Sequence, residues 1–300
     1  MRAVVIHDTG DPDVLRVEEV DDPQPADGEV LIAVRAASIN PIDWKYRRGF
    51  VETPLPTVLG IDVSGVVATS RDDRFNERDE VFGAVTSGGY AELATAPAAT
   101  IAAKPDGISH EQAATIPVAG LTAWQGLFDA GRLEPDESVL IAGGAGGVGH
   151  FAVQFAKHGG ARVIATASTH NRDFVLGLGA DEFVDYTHQD VGEAVREVDL
   201  AFDTVGGDTT ASLMPAVKVG GTLISIAGRP PEEEARERDI RVAVHVTNQD
   251  PDQLARIANL TATGAVKIHV SEVLPLSDVQ RAHELSESGH TRGKIVLTVG

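Results

Sequence analysis

The residues best placed to do chemistry lie in one glycine-rich run, Val139-Leu140-Ile141-Ala142-Gly143-Gly144-Ala145-Gly146-Gly147-Val148-Gly149. Gly144, Gly146 and Gly149 carry the G-x-G-x-x-G spacing. Glycine there permits a tight turn and lets backbone amides approach an anion with no Cβ in the way. A helix opening directly afterwards adds free N–H donors and the positive end of its dipole. Both flanks suit the motif: Val139–Ala142 reads as a buried strand, and Val148, Phe151, Ala152 and Phe155 form an apolar helix face. The expected chemistry is a grip on a dinucleotide diphosphate by Gly144, Ala145, Gly146, Gly147 and Val148. A turn that binds nothing is the plain alternative.

The choice of coenzyme should be written at the end of the second strand, Arg162–Ala167. An NAD-selective site would place a carboxylate there for the ribose 2′-hydroxyl. This chain has Ser168-Thr169-His170-Asn171-Arg172, and its first acid, Asp173, already lies in the next helix. Ser168 and Asn171 can donate to a 2′-phosphate, and Arg172 or protonated His170 can balance its charge. NADPH is therefore expected over NADH, although Ser168 would also serve as a helix cap and Arg172 as a surface charge.

Two kinds of element must position these residues. Residues 1–112 read as short strands broken by turn clusters: Ala3–Ile6, Leu15–Val20, Val30–Ala37, Ile61–Ala68 and Glu80–Phe82. Helical spacing begins in Glu111–Ala130, interrupted at Pro117 and Gly120. Strands and helices then alternate: Ser138–Ala142, Val148–His158, Arg162–Ala167, Asn171–Leu178, Phe183–Asp185, Leu200–Thr204, Thr222–Ala227 and Arg241–Val246. Such alternation signals a parallel sheet with helical crossovers. The tail reads as helix Asp252–Thr263, strand Lys267–Val270, helix Ser277–Ser288 and strand Lys294–Val299, the last returning to the first lobe. The acidic run Glu232–Asp239 reads as a solvated loop. Fold class is α/β: a β-barrel-like lobe from 1–112 and 251–300, and a doubly wound parallel-sheet domain from 113–250.

Composition narrows the partners. The 300-residue chain carries a net charge of −20 and no cysteine. Cysteine-based zinc sites, iron–sulfur clusters, disulfides and thiolate nucleophiles are thereby excluded. The negative charge argues against nucleic acid and anionic membranes. No run approaches the roughly 18 apolar residues of a membrane helix, and no secretory leader is evident. A cytoplasmic protein is expected.

With these pieces in place, the chain resembles the zinc-independent quinone oxidoreductase branch of the medium-chain dehydrogenase/reductase superfamily. The likeness runs nearly end to end. It is carried by Ala37–Lys45, Pro56–Gly65, Ile116–Trp124, the glycine loop, Leu178–Asp181, Phe202–Gly207 and Arg292–Leu297. It implies a GroES-like β lobe beside a Rossmann domain. It also implies that Ser168, His170, Asn171 and Tyr186 surround the 2′-phosphate, with His170 where the family often has Lys. Asp203, Val205, Ile226, Ala227, Gly228 and Thr122 would line the nicotinamide half, and Lys294 would reach the coenzyme. Asn40 and Thr122 are the candidate catalytic residues. Asn40 stands where zinc-dependent relatives have a Cys, and Gly60-Ile61-Asp62 replaces their His-bearing segment. Asn40 could also simply cap the helix opening at Pro41, and Asp43 and Lys45 could form a local salt bridge.

The metal ligands being missing, a plain carbonyl would receive little Lewis-acid activation, whereas a quinone or enone delocalises incoming charge by itself. Hydride delivery from NADPH to a small conjugated electrophile is expected, by positioning and water exclusion. Enone or enoyl-thioester reduction is the alternative, and a non-catalytic NADPH-binding protein a remoter one. Tyr46 lies out of step with the tyrosine donor of the thioester reductases, so no dedicated acid is assigned. A homodimer through the β-prone run Arg241–Val246 is expected by resemblance.

Overall fold

Alternating apolar positions and closely spaced turn residues drive the first third of the chain into short strands. The computed structural model describes residues 1–300. Eight strands come first: β1 (Arg2–Ile6), β2 (Arg16–Glu19), β3 (Glu29–Ser38), β4 (Thr57–Val58), β5 (Asp62–Ser70), β6 (Glu80–Ala84), β7 (Leu93–Pro97) and β8 (Ile101–Ala103). Six more follow: β9 (Ser138–Ala142), β10 (Arg162–Ala167), β11 (Glu182–Asp185), β12 (Val198–Asp203), β13 (Val217–Ser225) and β14 (Arg241–Val244). The chain ends with β15 (Val270–Pro275) and β16 (Lys294–Thr298).

These elements sort into two units, one of residues 1–119, 249–264 and 268–300, the other of 120–248 and 265–267. In the first, β2-β1-β4 form an antiparallel sheet and β15-β16-β3-β5-β6-β8, with β7 on β3, a seven-stranded one that is antiparallel except for the parallel pair β15-β16. The long β3 organises it, pairing with β5, β7 and the returning β16. Val4, Ile32, Val63, Val81, Ile101 and Leu297 fill its core. In the second unit all pairings are parallel, in the order β11-β10-β9-β12-β13-β14. That is the doubly wound order, whose direction reverses between β9 and β12. Ligands of such sheets bind beyond the strand ends at that reversal.

Three local expectations are corrected. Glu232–Glu237, part of the supposed solvated loop, is a helix. Three glutamates in its first turn favour the positive helix end, and Ala235 packs into the core. Gly120 does not interrupt its helix: a fresh one starts with Pro117 and runs to Trp124, followed by a wider π-turn at Gln125–Ala130. The strand read at Lys267–Val270 starts only at Val270. The backbone of Lys267 is instead held by Gln154, which accepts from its N–H at 2.7 Å and donates to its C=O at 2.9 Å.

Candidate functional site

At the end of β9 the backbone turns sharply through Gly143, whose φ is +73°. A Cβ on Gly143 would sit 2.8 Å from Thr204 Oγ1, and one on Gly144 would sit 2.9 Å from the Ala165 methyl. A Cβ on Gly149 would lie 2.0 Å from the Gly143 carbonyl oxygen. The turn is tied to β10 by the Gly144 N–H, which donates to the Thr166 carbonyl at 2.9 Å, and to itself by the Gly146 N–H on the Gly143 carbonyl. The following helix, Gly149–His158, is buried from Gly149 to Ala156. Its start has no side-chain cap, and its first turn has no acid. An uncapped, acid-free helix start behind a glycine turn fits an anionic diphosphate.

Beyond β10, three of the expected 2′-phosphate residues come together. The Ser168 hydroxyl lies 3.1 Å from His170 Nδ1, and the Asn171 amide donates to Ser168 Oγ at 3.3 Å. Arg172 instead pairs with Asp173 at the surface, so its charge is already partly engaged. Tyr186 is exposed. A carboxylate that sequence order hides is also here: Asp185, paired in register with Ala167, accepts the Thr169 hydroxyl.

Asp203, expected along the nicotinamide half, is fully buried, and its carboxylate is satisfied inside the protein. It accepts from the Val205 and Gly206 N–H groups at 2.9 and 3.0 Å, and from the Thr210 and Ser225 hydroxyls. Ser225 in turn accepts from the N–H groups of Ala227 and Gly228. Asp203 therefore shapes the two loops that carry Val205 and Ile226–Gly228. Val205 packs where a side chain on Gly143 would have to go. Thr122 shares a hydrogen bond with the Thr247 hydroxyl.

A second polar assembly lies within the first unit. Asn40 occupies the N-cap position of the helix Pro41–Arg48, but its side chain is used elsewhere. Its amide donates to Asp62 at 2.8 Å, and its oxygen accepts from Lys294 Nζ at 2.6 Å. Lys294 also donates to the Ile39 carbonyl at 2.9 Å. Asp62 further accepts from Ser38 at 3.2 Å and from the Val118 N–H at 3.1 Å. The expected Asp43–Lys45 salt bridge is absent. Asp43 points inward and accepts from the Asn40 N–H and the Tyr90 hydroxyl at 2.8 and 2.7 Å, while Lys45 lies over the Trp44 ring. Tyr90 is distant in sequence and gave no signal. Burial pushes Asp43 up to about 7 against its hydrogen bonds from Tyr90 and Asn40. It pushes Asp62 up to about 6 against the nearby Lys294. Desolvation likewise lowers Lys294. One ammonium faces two carboxylates in a dry site. No three His, Asp or Glu side chains converge to hold a metal ion.

His283 packs edge-on to Tyr90 at 5.8 Å and is fully buried, with neither ring nitrogen hydrogen-bonded. Burial, helped by Arg47, pulls it down to about 3; Glu287 opposes. The unfolded chain would take up this proton near the ordinary imidazole value of 6.5, the folded one only well below it. Stability should therefore fall as pH drops from about 6.5 toward about 3, by up to about 5 kcal/mol at ~1.4 kcal/mol per pKa unit. His283→Leu should flatten that part of the curve in urea denaturation; an unchanged acid slope would contradict this.

Comparison with known proteins decides the family. Residues 26–106 match the alcohol dehydrogenase GroES-like domain and residues 178–297 the zinc-binding dehydrogenase domain. The chain is 34% identical to an NADPH-dependent alkenal/one oxidoreductase of Arabidopsis thaliana, over 99% of this chain and 79% of that protein. It is 32% identical to a quinone oxidoreductase of Mus musculus, over 99% of this chain and 97% of the relative. It belongs to the quinone oxidoreductase branch of the medium-chain dehydrogenase/reductase superfamily. Among solved structures of this superfamily, the quinone oxidoreductase of Coxiella burnetii superposes with a TM-score of 0.94 at 35% identity, covering 100% and 99% of the two chains. The Escherichia coli quinone oxidoreductase complexed with NADPH superposes with a TM-score of 0.93 at 28% identity, covering 100% of both. Although one matching domain is described as zinc-binding, this branch member has no cysteine.

Proposed function

We propose that the protein is an NADPH-dependent, zinc-independent oxidoreductase that reduces a quinone or similar small conjugated acceptor. The observation carrying this reading is the cysteine-free chain's glycine turn, closed to any Cβ at Gly143, Gly144 and Gly149 and opening on an uncapped helix start. Gly144–Val148 would hold the diphosphate. Ser168, His170, Asn171 and Tyr186 would surround the 2′-phosphate, with Arg172 a weaker contributor because of Asp173. Thr122, Val205 and Ile226–Gly228 would line the nicotinamide half, and Asn40 and Lys294 would face the reacting end.

When bound, the reduced coenzyme supplies a hydride. The residues of the chain bind, orient and exclude water. Asn40, with its oxygen on Lys294 and one N–H on Asp62, has a second amide N–H that would donate to an acceptor brought against it. A conjugated acceptor needs little more than such placement.

Relatives named for alkenal/one and 2-methylene-furan-3-one reduction support enone reduction as a second reading. Turnover of a quinone set against α,β-unsaturated ketones and acyl thioesters separates the two. In either case kcat/KM with NADPH should exceed that with NADH by at least about tenfold, the weight of one or two charge-assisted hydrogen bonds. Equal or better use of NADH would overturn the coenzyme assignment.

Two finer points belong to the same proposal. The edge strand β14 has one open side, with Val244 and Val246 exposed, and pairing there would make a homodimer; a monomeric mass in solution scattering would count against it. No helix is long and apolar enough to cross a membrane. The cytoplasm is the proposed location, checked by cell fractionation.

A further inference from the structure

Asp185 ends β11 and lies beside Ala167, the last residue of β10. Its carboxylate is nearly buried and engaged on both oxygens. Oδ1 accepts from the Thr187 N–H at 2.9 Å and the Thr187 hydroxyl at 2.6 Å. Oδ2 accepts the Thr169 hydroxyl and lies 3.1 Å from His188 Nδ1. Hydrogen bonds, that from Thr169 foremost, hold this carboxyl well below the usual carboxylate range. It is thus a permanent anion beside a turn assigned above to an anionic phosphate. Donors from its own surroundings hold both oxygens; they fix the carboxylate's direction without cancelling its charge.

The connection through Thr169 has a consequence. Thr169 opens the short turn Thr169–Asn171, bracketed by Ser168 and Asn171. The Asn171 N–H donates to the Ser168 carbonyl at 2.8 Å, closing the turn. Ser168 Oγ, His170 Nδ1 and Asn171 Nδ2 are already in mutual contact. The Thr169 hydroxyl ties this turn to β11. We propose that Asp185, acting through Thr169, positions the Ser168–Asn171 turn and thereby sets the preference for a 2′-phosphorylated coenzyme. Asp185 is a positioning residue here: it touches the turn, and the turn reads the phosphate. The inference rests on the coenzyme assignment above.

The test is calorimetric titration of the purified, coenzyme-free protein with NADPH and with NADH. Thr169→Val keeps the side-chain shape and removes the hydroxyl donor. It should weaken NADPH binding about five- to tenfold, the range of one ordinary hydrogen bond, and leave NADH binding unchanged. Thr169→Ser, which restores the donor, should recover the native ratio. Both Thr169 variants leave the charge of Asp185 in place, so this pair decides the inference. An unchanged NADPH-to-NADH ratio in Thr169→Val, equal weakening of both coenzymes, or a serine variant as impaired as the valine one would overturn the inference. A native protein with no preference for NADPH would instead sink the underlying assignment.

Discussion

Replacing Gly149 with valine is expected to abolish coenzyme binding, because even the first carbon of the new side chain would lie 2.0 Å from the Gly143 carbonyl oxygen. That oxygen is backbone, fixed by the Gly146 N–H at 2.9 Å, so neither side can yield cheaply. Separating the helix from the turn would unpack Phe151 and Phe155, both buried, at a cost of about 3–5 kcal/mol by analogy with other severe core disruptions. Misfolding and lost binding would then coincide, so a milder companion is needed. Gly146→Ala places its Cβ 3.3 Å from the same oxygen, a contact relieved by a small shift. This variant should keep a near-native melting temperature yet bind NADPH at least about tenfold more weakly, since on the proposed placement its methyl would take space needed by the diphosphate. Native NADPH affinity in Gly146→Ala, measured by calorimetry, would remove the glycine turn from the coenzyme site.

Lys294→Met should be the most damaging change in the buried assembly of the first unit. The ammonium is the one positive charge hydrogen-bonded to Asn40, and its field lowers both Asp62 and Asp43. Losing one partner of such a buried set costs about 3–5 kcal/mol, because the charges left behind have nothing to face. The loss should depend on pH, with a sign that follows from the two carboxyls. Burial raises both folded-state values above the ordinary carboxyl value of 3.8, to about 6 for Asp62 and about 7 for Asp43. Their stabilising contribution is complete below 3.8 and fades as pH rises through those values. Without Lys294 both carboxyls would hold their protons more tightly still, and forcing them to ionise would cost more. The deficit should be small at about pH 5 and largest at about pH 8, read by urea denaturation. Adding Asp62→Asn to the methionine variant should recover much of the loss at the higher pH. A deficit of equal size at both values would mean that packing, and not charge, governs this site.

The parts legible in the chain were those encoded by neighbours in sequence. Val139–Gly149 announces strand, turn and helix within eleven consecutive residues. Each glycine's role there is local: Gly143 needs a positive φ, and Gly149 must pass close to a carbonyl six residues earlier. The alternation of strands and helices after His110 was equally readable, since period and length survive without tertiary context. Glu232–Glu237 was misread because its single buried contact, through Ala235, lies outside the local pattern. Strand β15 was misplaced because only Leu274 of it is buried, with Ser271, Val273 and Pro275 exposed at this sheet edge, so its sequence shows no clean apolar alternation.

What the chain determined alone is therefore the doubly wound domain, the position of its glycine turn and the absence of cysteine ligands, all of which depend on short-range spacing or on composition. Tertiary structure decided how the polar side chains are used. It turned Asp43 inward to Tyr90, committed Asn40 to Asp62 and Lys294, withdrew Asp203 into the scaffold, and set Asp185 beside Thr169. The reason is physical: a buried carboxylate or ammonium must find its partners wherever the fold places them, and Lys294 and Asn40 meet across 254 residues of chain.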